Sequence, residues 1–442
     1  MNRRDFILNT SLAVAGGAAA WLSVPAAASQ TTQAGSGAGV VRPRPLRFSG
    51  DMREGLKPRR VTNAMWDFSW LTQHYPGGAF ANFDTAADAL VERGFNTVRV
   101  DAFPLVIGAL KSEGESITIA GEPLANWGMS DHDREHQVVP ELLEFMRAAK
   151  RRGLSVILSS WGRDCKEYPD CKRALAKSRS GFRKAWERTL DILGAHDLLD
   201  PVLYVDLDQE FPYFSPFQDE LNELGKRRSG GHAVEPAMEA GVQFEPGQTR
   251  WAWKPAQMEY VRRLFSEMLP PLQSRYPRLR FTYSLTSFFK EIRSMGLEIF
   301  DVLELHLWIH SPRFENRTGF DRLTKDRGEH DYKDYARRLA ATLDTMGPML
   351  AKEMENRIVF AKAWSEEIAA PVVTTEAWGP WWHMDHPDLD WHWLKEWCEH
   401  CMTLAAQHGF WGVTPWNYSH PYWKNWSDIK WYRKVNQRFL RS

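Results

Sequence analysis

The chain has 442 residues, 43% of them hydrophobic, with 56 basic and 56 acidic side chains and a formal net charge of zero. A chain this long and apolar can bury a large core, while its balanced charge gives no global field to steer a polyanion, which argues against nucleic-acid binding. Tryptophan is the outlier, with 21 residues, and its flat rings suit either core packing or stacking on the C–H faces of sugars.

The first 28 residues read as an address. Paired Arg3 and Arg4 precede a weakly apolar run that closes on the small residues Ala26 to Ala28, the pattern of a twin-arginine export signal. Asn9, Thr10, Gly16 and Gly17 interrupt the run and make it a poor membrane span. Cleavage near Ala28 would leave a periplasmic or secreted protein with no membrane attachment; a retained anchor is the alternative. Residues 29–58 are rich in Gly, Ser, Thr and Pro and read as a flexible leader.

From residue 59 to 442 a short apolar run, a polar loop and an amphipathic stretch repeat in order. The runs are VTNAMWDF, FNTVRVDAF, LSVILSSW, VLYVDLDQE, RFTYSLTSF, DVLELHLWI, PVVTTEAW and FWGVTPWNY. Helical patterns such as DTAADALVERG, VPELLEFMRAAKRRG and KPAQMEYVRRLFSEML fall between them. Eight alternations predict an α/β fold, a (β/α)8 TIM barrel, here with long βα loops. An open doubly wound sheet is the runner-up, but no Gly-rich phosphate loop follows any strand. The connections after strand two (through Trp127), after strand four (212–253) and after strand six (Ser311 to Asp331) are long enough to wall a cleft.

Four cysteines fall in two pairs. An oxidising compartment permits a local disulfide between Cys165 and Cys171. Cys398 and Cys401 have redox-motif spacing but lie in a predicted helix with no second such pair, so a buried thiol pair is expected. His383 and His386 sit in a predicted loop without a third ligand, and ordinary hydrogen bonding is expected there in place of a metal.

Each strand begins apolar and turns polar or aromatic at its C-terminal end. Those ends hold Asp67, Arg99, Asp101, Trp161, Gln209, Glu210, His306, Trp308, Glu376, Trp378, Trp416 and Asn417, with Trp381 just beyond. In a barrel they share one rim, where active sites assemble. Glu210 and Glu376 close strands that are not neighbours and can face each other across the mouth. Two carboxylates about 5 Å apart meet the need of retaining glycoside hydrolysis, in which one attacks the anomeric carbon and the other protonates the leaving oxygen. Glu376 is expected to stay ionised beside Arg99. Glu210 is expected to have a raised pKa from the opposing charge and from a wall of Phe211 and Tyr213. Asp206 and Asp208, at two-residue spacing, are expected to point the same way as Glu210. About half of the Trp rings are assigned to the core, and several of the cluster Trp378, Trp381, Trp382, Trp416, Tyr418, Tyr422, Trp423 and Trp426 to the cleft.

GFNTVRV, DQE, HLW, TTEAWG and GFWGVTPWNY stand in the order and at the strand positions seen in cellulase-like enzymes. Over nearly all of residues 60 to 420 the chain resembles glycoside hydrolase family 5 and its clan A relatives. The resemblance implies Glu210 as acid/base, Glu376 as nucleophile, Arg99 as the residue that holds the nucleophile, and Trp416 as the floor under the reacting sugar. His306 matches the family's strand-six His. It also implies a carbohydrate substrate, no cofactor and no metal. Three positions depart from the pattern: Gln209 replaces Asn, the third strand ends at Ser160 where many relatives carry His, and Trp308 replaces Tyr. These mark a divergent member, and a sugar-binding protein that has lost turnover is the alternative.

Overall fold

The computed structural model describes residues 60–122, 127–176, 178–226, 253–287, 289–296, 298–320, 332–383 and 385–442. The expected export signal and leader lie outside these residues, as do segments 123–126, 227–252 and 321–331 of the three long connections.

Eight parallel strands follow the predicted order: β1 Val61–Met65, β2 Thr97–Asp101, β3 Ser155–Ser159, β4 Val202–Asp206, β5 in two pieces, Phe281–Thr282 and Ser284–Leu285, β6 Leu303–Leu305, β7 Val372–Thr374 and β8 Gly412–Val413. Each pairs with the next, and β1 pairs with β8 through Thr62 opposite Val413. The first piece of β5 pairs with β4 and the second with β6. The break at Tyr283 is therefore where the circle closes. There the Ser284 N–H donates to Asp206 Oδ1 at 2.8 Å, so a side chain replaces a backbone acceptor of the ladder.

A helix follows each strand: α1 Phe83–Glu92, α2 Val138–Arg151, α3 Arg179–Ala195, α4 Pro255–Arg275, α5 Phe289–Ser294, α6 Tyr332–Glu367, α7 His392–Gln407 and α8 Ile429–Arg441. Their apolar stripes face the barrel, as Val139, Leu142, Leu143 and Met146 do on α2. Side chains of Asn82, Ser178 and Asp428 cap α1, α3 and α8 by accepting from the N–H three residues on. Sequence reading missed a short antiparallel hairpin after β2, Ile117–Ile119 with Arg134–His136, inside the long second connection. Among the described residues no helix is long and apolar enough to cross a membrane.

The barrel interior is plugged by Val61, Ile157, Tyr204, Val302, Val373 and Trp411. Glu304, Arg99 and Glu376, all fully or almost fully buried, occupy the interior toward the strand C-termini. Most of the described Trp rings are buried, more than the half assigned to the core from sequence. Cys165, Cys171, Cys398 and Cys401 are buried free thiols. The second pair matches its expected state, and the structure contains no Cys165–Cys171 disulfide.

Candidate active site

Arg99 organises the mouth. It projects from β2 into the barrel, where its guanidinium grips Asp67 with two parallel hydrogen bonds, Nε to Oδ1 at 2.9 Å and Nη2 to Oδ2 at 2.6 Å. Nη2 also donates to Glu376 Oε1, and Nη1 donates to Thr375 Oγ1 at 2.5 Å. Thr375 in turn donates a hydrogen bond from its hydroxyl to Glu304 Oε1, which lies 3.5 Å from Arg99 Nη1. One cation is thus shared by three buried carboxylates. Burial works against its charge, yet those neighbours hold the Arg99 pKa well above its ordinary value.

Glu210 lies four residues past the end of β4, not at the strand terminus the sequence suggested. It adopts a left-handed φ of 49°, a conformation costly for a side chain with a Cβ. Ser284 of β5 pins it there: its hydroxyl accepts the Glu210 N–H at 3.0 Å and its carbonyl accepts the Phe211 N–H at 2.9 Å. The turn aims the carboxylate at His306, whose Nδ1 is 2.9 Å from Glu210 Oε1 and 3.5 Å from Glu376 Oε2. Donor atoms of Glu210, His306 and Glu376 all fall within 4.8 Å of one another. The two carboxylates flank a single imidazole and can touch a single sugar ring. Among the described residues this is the one convergence of His with carboxylates that could bracket a cation; within it His306 and Glu210 share a hydrogen bond, and Glu376 Oε2 has no hydrogen-bond partner.

The charges set its electrostatics. Burial pushes the Glu376 carboxyl up, against the pull of His306 and Arg99 and with the push of Glu210, to about 7. Burial would lower His306, but Glu376, Glu210 and Glu304 carry it up to about 10. Burial works to raise Glu304, and His306 and Arg99 prevail in holding it below the usual carboxylate value. The expectation that Glu376 stays ionised beside Arg99 therefore underrates desolvation, because Arg99 is divided among three acids.

The remaining expected residues separate into groups. Trp161 is half-buried at the mouth; its indole N–H donates to Asp67 Oδ2 at 2.7 Å, and its ring meets Phe214 edge-on at 4.7 Å. Gln209 is fully buried, with Oε1 accepting from Ser284 Oγ at 3.0 Å and Nε2 lacking a protein partner. Trp416 and Asn417 are nearly fully buried, and the Trp416 Nε1 and Asn417 Nδ2 also lack protein partners. Trp381 is half-buried against Phe320 and His310. Trp308 is buried 6.2 Å from the ring of Trp127.

Several expectations fail for reasons of packing. Asp101 is spent on the backbone, its two oxygens accepting the N–H groups of Phe103 and Trp161 at 2.7 and 2.8 Å. Trp378 is a core residue, completely buried, with its indole N–H on the Thr414 carbonyl. Phe211 packs against Phe265 and Tyr283 and forms no wall beside Glu210, while Tyr213 is exposed. Asp206 bonds the β5 backbone, and Asp208 is fully buried facing Ser215 and Lys172, so neither accompanies Glu210. Ser160 shapes the turn after β3, its carbonyl accepting the Gln209 N–H at 2.8 Å. Sequence reading missed Glu304, Thr375 and Ser284. A Glu two residues before His306 on an inward-facing strand was the available signal for the first.

Comparison with known proteins gives the chain's family. The profile of the cellulase-like family, described as sugar-binding and cellulase-like, matches residues 63–440. A solved structure of a candidate glycoside hydrolase from Parabacteroides distasonis is 26% identical, with a TM-score of 0.72 over 87% of this chain and 94% of that one. A glycoside hydrolase family 5 mannosidase from Rhizomucor miehei is 11% identical, with a TM-score of 0.44 over 87% and 94% of the two chains. No curated protein sequence matches this chain.

Proposed function

We propose that this chain, which belongs to the sugar-binding, cellulase-like family, is a retaining β-glycoside hydrolase acting on an oligo- or polysaccharide. The observation that carries the reading is the approach of Glu210 and Glu376 within 4.8 Å across His306 at the barrel mouth. Retaining enzymes hold their carboxyls about 5–5.5 Å apart, whereas inverting ones leave about 6.5–9.5 Å for a water. Glu376, fixed by Arg99, attacks the anomeric carbon. Glu210 gives its proton to the leaving oxygen, then takes one from the water that releases the sugar. Trp161, half-buried at the mouth, is the ring available to a sugar face, while Trp416, Gln209 and Asn417 lie behind the rim, almost fully buried, each with an unpartnered N–H. Residues 1–28 are proposed to export the chain, which N-terminal sequencing of the mature protein checks.

The test is turnover of aryl β-glycosides and a glycan panel by the wild type, Glu376→Ala and Glu210→Ala. Glu376→Ala is expected to lose more than about 10³-fold in kcat. Glu210→Ala should lose about 10²–10⁴-fold, least on substrates with acidic leaving groups that need no proton. NMR of the first-formed product should show the substrate's anomeric configuration. Wild-type turnover by Glu376→Ala would overturn the assignment. The alternative, a sugar-binding protein without turnover, draws on Gln209, whose carboxamide is half committed to Ser284; calorimetry showing tight glycan binding with no product would establish it instead.

A further inference from the structure

Glu304 has no place in the double displacement, yet it is a fully buried acid near the mouth. It sits on β6, wholly shielded from solvent. Oε1 accepts the Thr375 hydroxyl proton, lies 3.5 Å from Arg99 Nη1 and lies 3.9 Å from His306 Nε2. Oε2 has no hydrogen-bond partner in the protein. A buried carboxylate is costly even where a hydroxyl and a guanidinium face one of its oxygens.

The ring of His306 shows what Glu304 does there. Nδ1 is hydrogen-bonded to Glu210 and lies 3.5 Å from Glu376 Oε2. Nε2 faces two competing neighbours, Arg99 Nη1 at 3.3 Å and Glu304 Oε1 at 3.9 Å. A hydrogen bond from Arg99 needs a bare Nε2 and therefore a neutral imidazole; Glu304 favours a proton on Nε2 and therefore an imidazolium. We infer that Glu304 is a positioning residue that keeps His306 doubly protonated against the adjacent Arg99, so that the ring presents a cationic Nδ1–H to the rim, nearest to Glu210. The groups facing His306 are Arg99 from β2, Glu210 from the turn after β4, Glu304 from its own strand and Glu376 after β7. Tyr204 and Asp206 of β4 border Glu304, and Asp67 is bound through Arg99. Within this set Glu304 is the acid that can act on Nε2 without touching substrate.

The consequence for turnover rests on the glycosidase reading, but the state of His306 does not, and the experiment separates them. The imidazole of His306 is followed by ¹H–¹⁵N NMR across a pH series in the wild type, Glu304→Gln and Glu304→Asp. Circular dichroism and Tm report whether each variant folds. In the wild type His306 should remain doubly protonated through neutral pH. In Glu304→Gln, which keeps the shape and removes the charge, its titration should fall by about one pH unit or more. Glu304→Asp should restore part of the shift. On an aryl β-glycoside, the bell-shaped kcat/KM profile of Glu304→Gln should move toward lower pH with its substrate preference unchanged. A merely structural Glu304 would lower activity at every pH and leave the profile in place. A neutral His306 in the wild type at neutral pH, or an unmoved titration in folded Glu304→Gln, overturns the inference. A moved titration without any wild-type hydrolysis would defeat the glycosidase reading and leave the inference about His306 intact.

Discussion

Lowering the pH tests the electrostatics of the proposed nucleophile most directly. Glu376 must be ionised to attack, and burial raises its pKa to about 7 although Arg99 and His306 oppose the shift. If that group controls the acid limb, about half the enzyme is active at pH 7, about one tenth at pH 6 and about one hundredth at pH 5. A carboxyl with an ordinary pKa would still be about three quarters ionised at pH 5, so the two cases differ by nearly two orders of magnitude. The assay is kcat/KM on an aryl β-glycoside from about pH 4 to about pH 10, with recovery of activity at neutral pH checked at each point. The same shift has a stability consequence. The folded chain binds this proton more tightly than the unfolded chain, so stability is highest below the unfolded pKa and falls as pH rises from about 4.5 to about 7. The full cost is about 3 kcal/mol. Glu376→Gln, neutral at every pH, should therefore match the wild type near pH 4 and exceed it by up to about 3 kcal/mol near pH 8 in urea denaturation. An acid limb at an ordinary carboxylate pKa, with a Gln variant less stable than wild type at pH 8, would show that attraction to Arg99 outweighs desolvation.

Asp67→Ala removes the two-pronged partner of a fully buried Arg99. It should destabilise the fold by about 3–5 kcal/mol, measured by urea denaturation, and lower kcat as Arg99 is drawn away from its geometry at Glu376. Trp378→Ala should also cost about 3–5 kcal/mol, with KM for glycan substrates unchanged in whatever fraction folds, because the ring is completely buried. A large rise in KM at that position would return Trp378 to the cleft.

The barrel was legible because its signal is periodic and repeated, and each run from VTNAMWDF to FWGVTPWNY contains a strand. The rim was legible for a related reason: parallel strands in a closed barrel end on one side, so Glu210 and Glu376 could be paired without knowing any distance. What the pattern could not carry was the direction of side chains once a strand ends. Beyond Asp206 the chain leaves the extended conformation, so the two-residue alternation no longer predicts where Asp208 and Glu210 point. Trp378 and Trp381 are three residues apart in one loop, and packing against the Thr414 carbonyl, invisible in sequence, buries the first and not the second. The break at Tyr283 was equally hidden, because it depends on Asp206 reaching a backbone N–H nearly eighty residues away.

Glu304 shows a different limit. Its position was readable, since Glu304 and His306 share a strand face, but its effect comes from the sharing of charge. Arg99 serves Asp67, Glu304 and Glu376 together, so it cannot fully neutralise any of them, and desolvation prevails at Glu376. With Arg99 and His306 set among more acids than cations, Glu376 and His306 shift each other's titration. Double displacement requires the proton to sit on Glu210 and not on Glu376, a choice between two carboxylates that border the same imidazole. The charge of that imidazole depends in turn on the far side of the ring, where Arg99 and Glu304 flank Nε2, and so the electrostatics of the rim include a carboxylate that lies behind it.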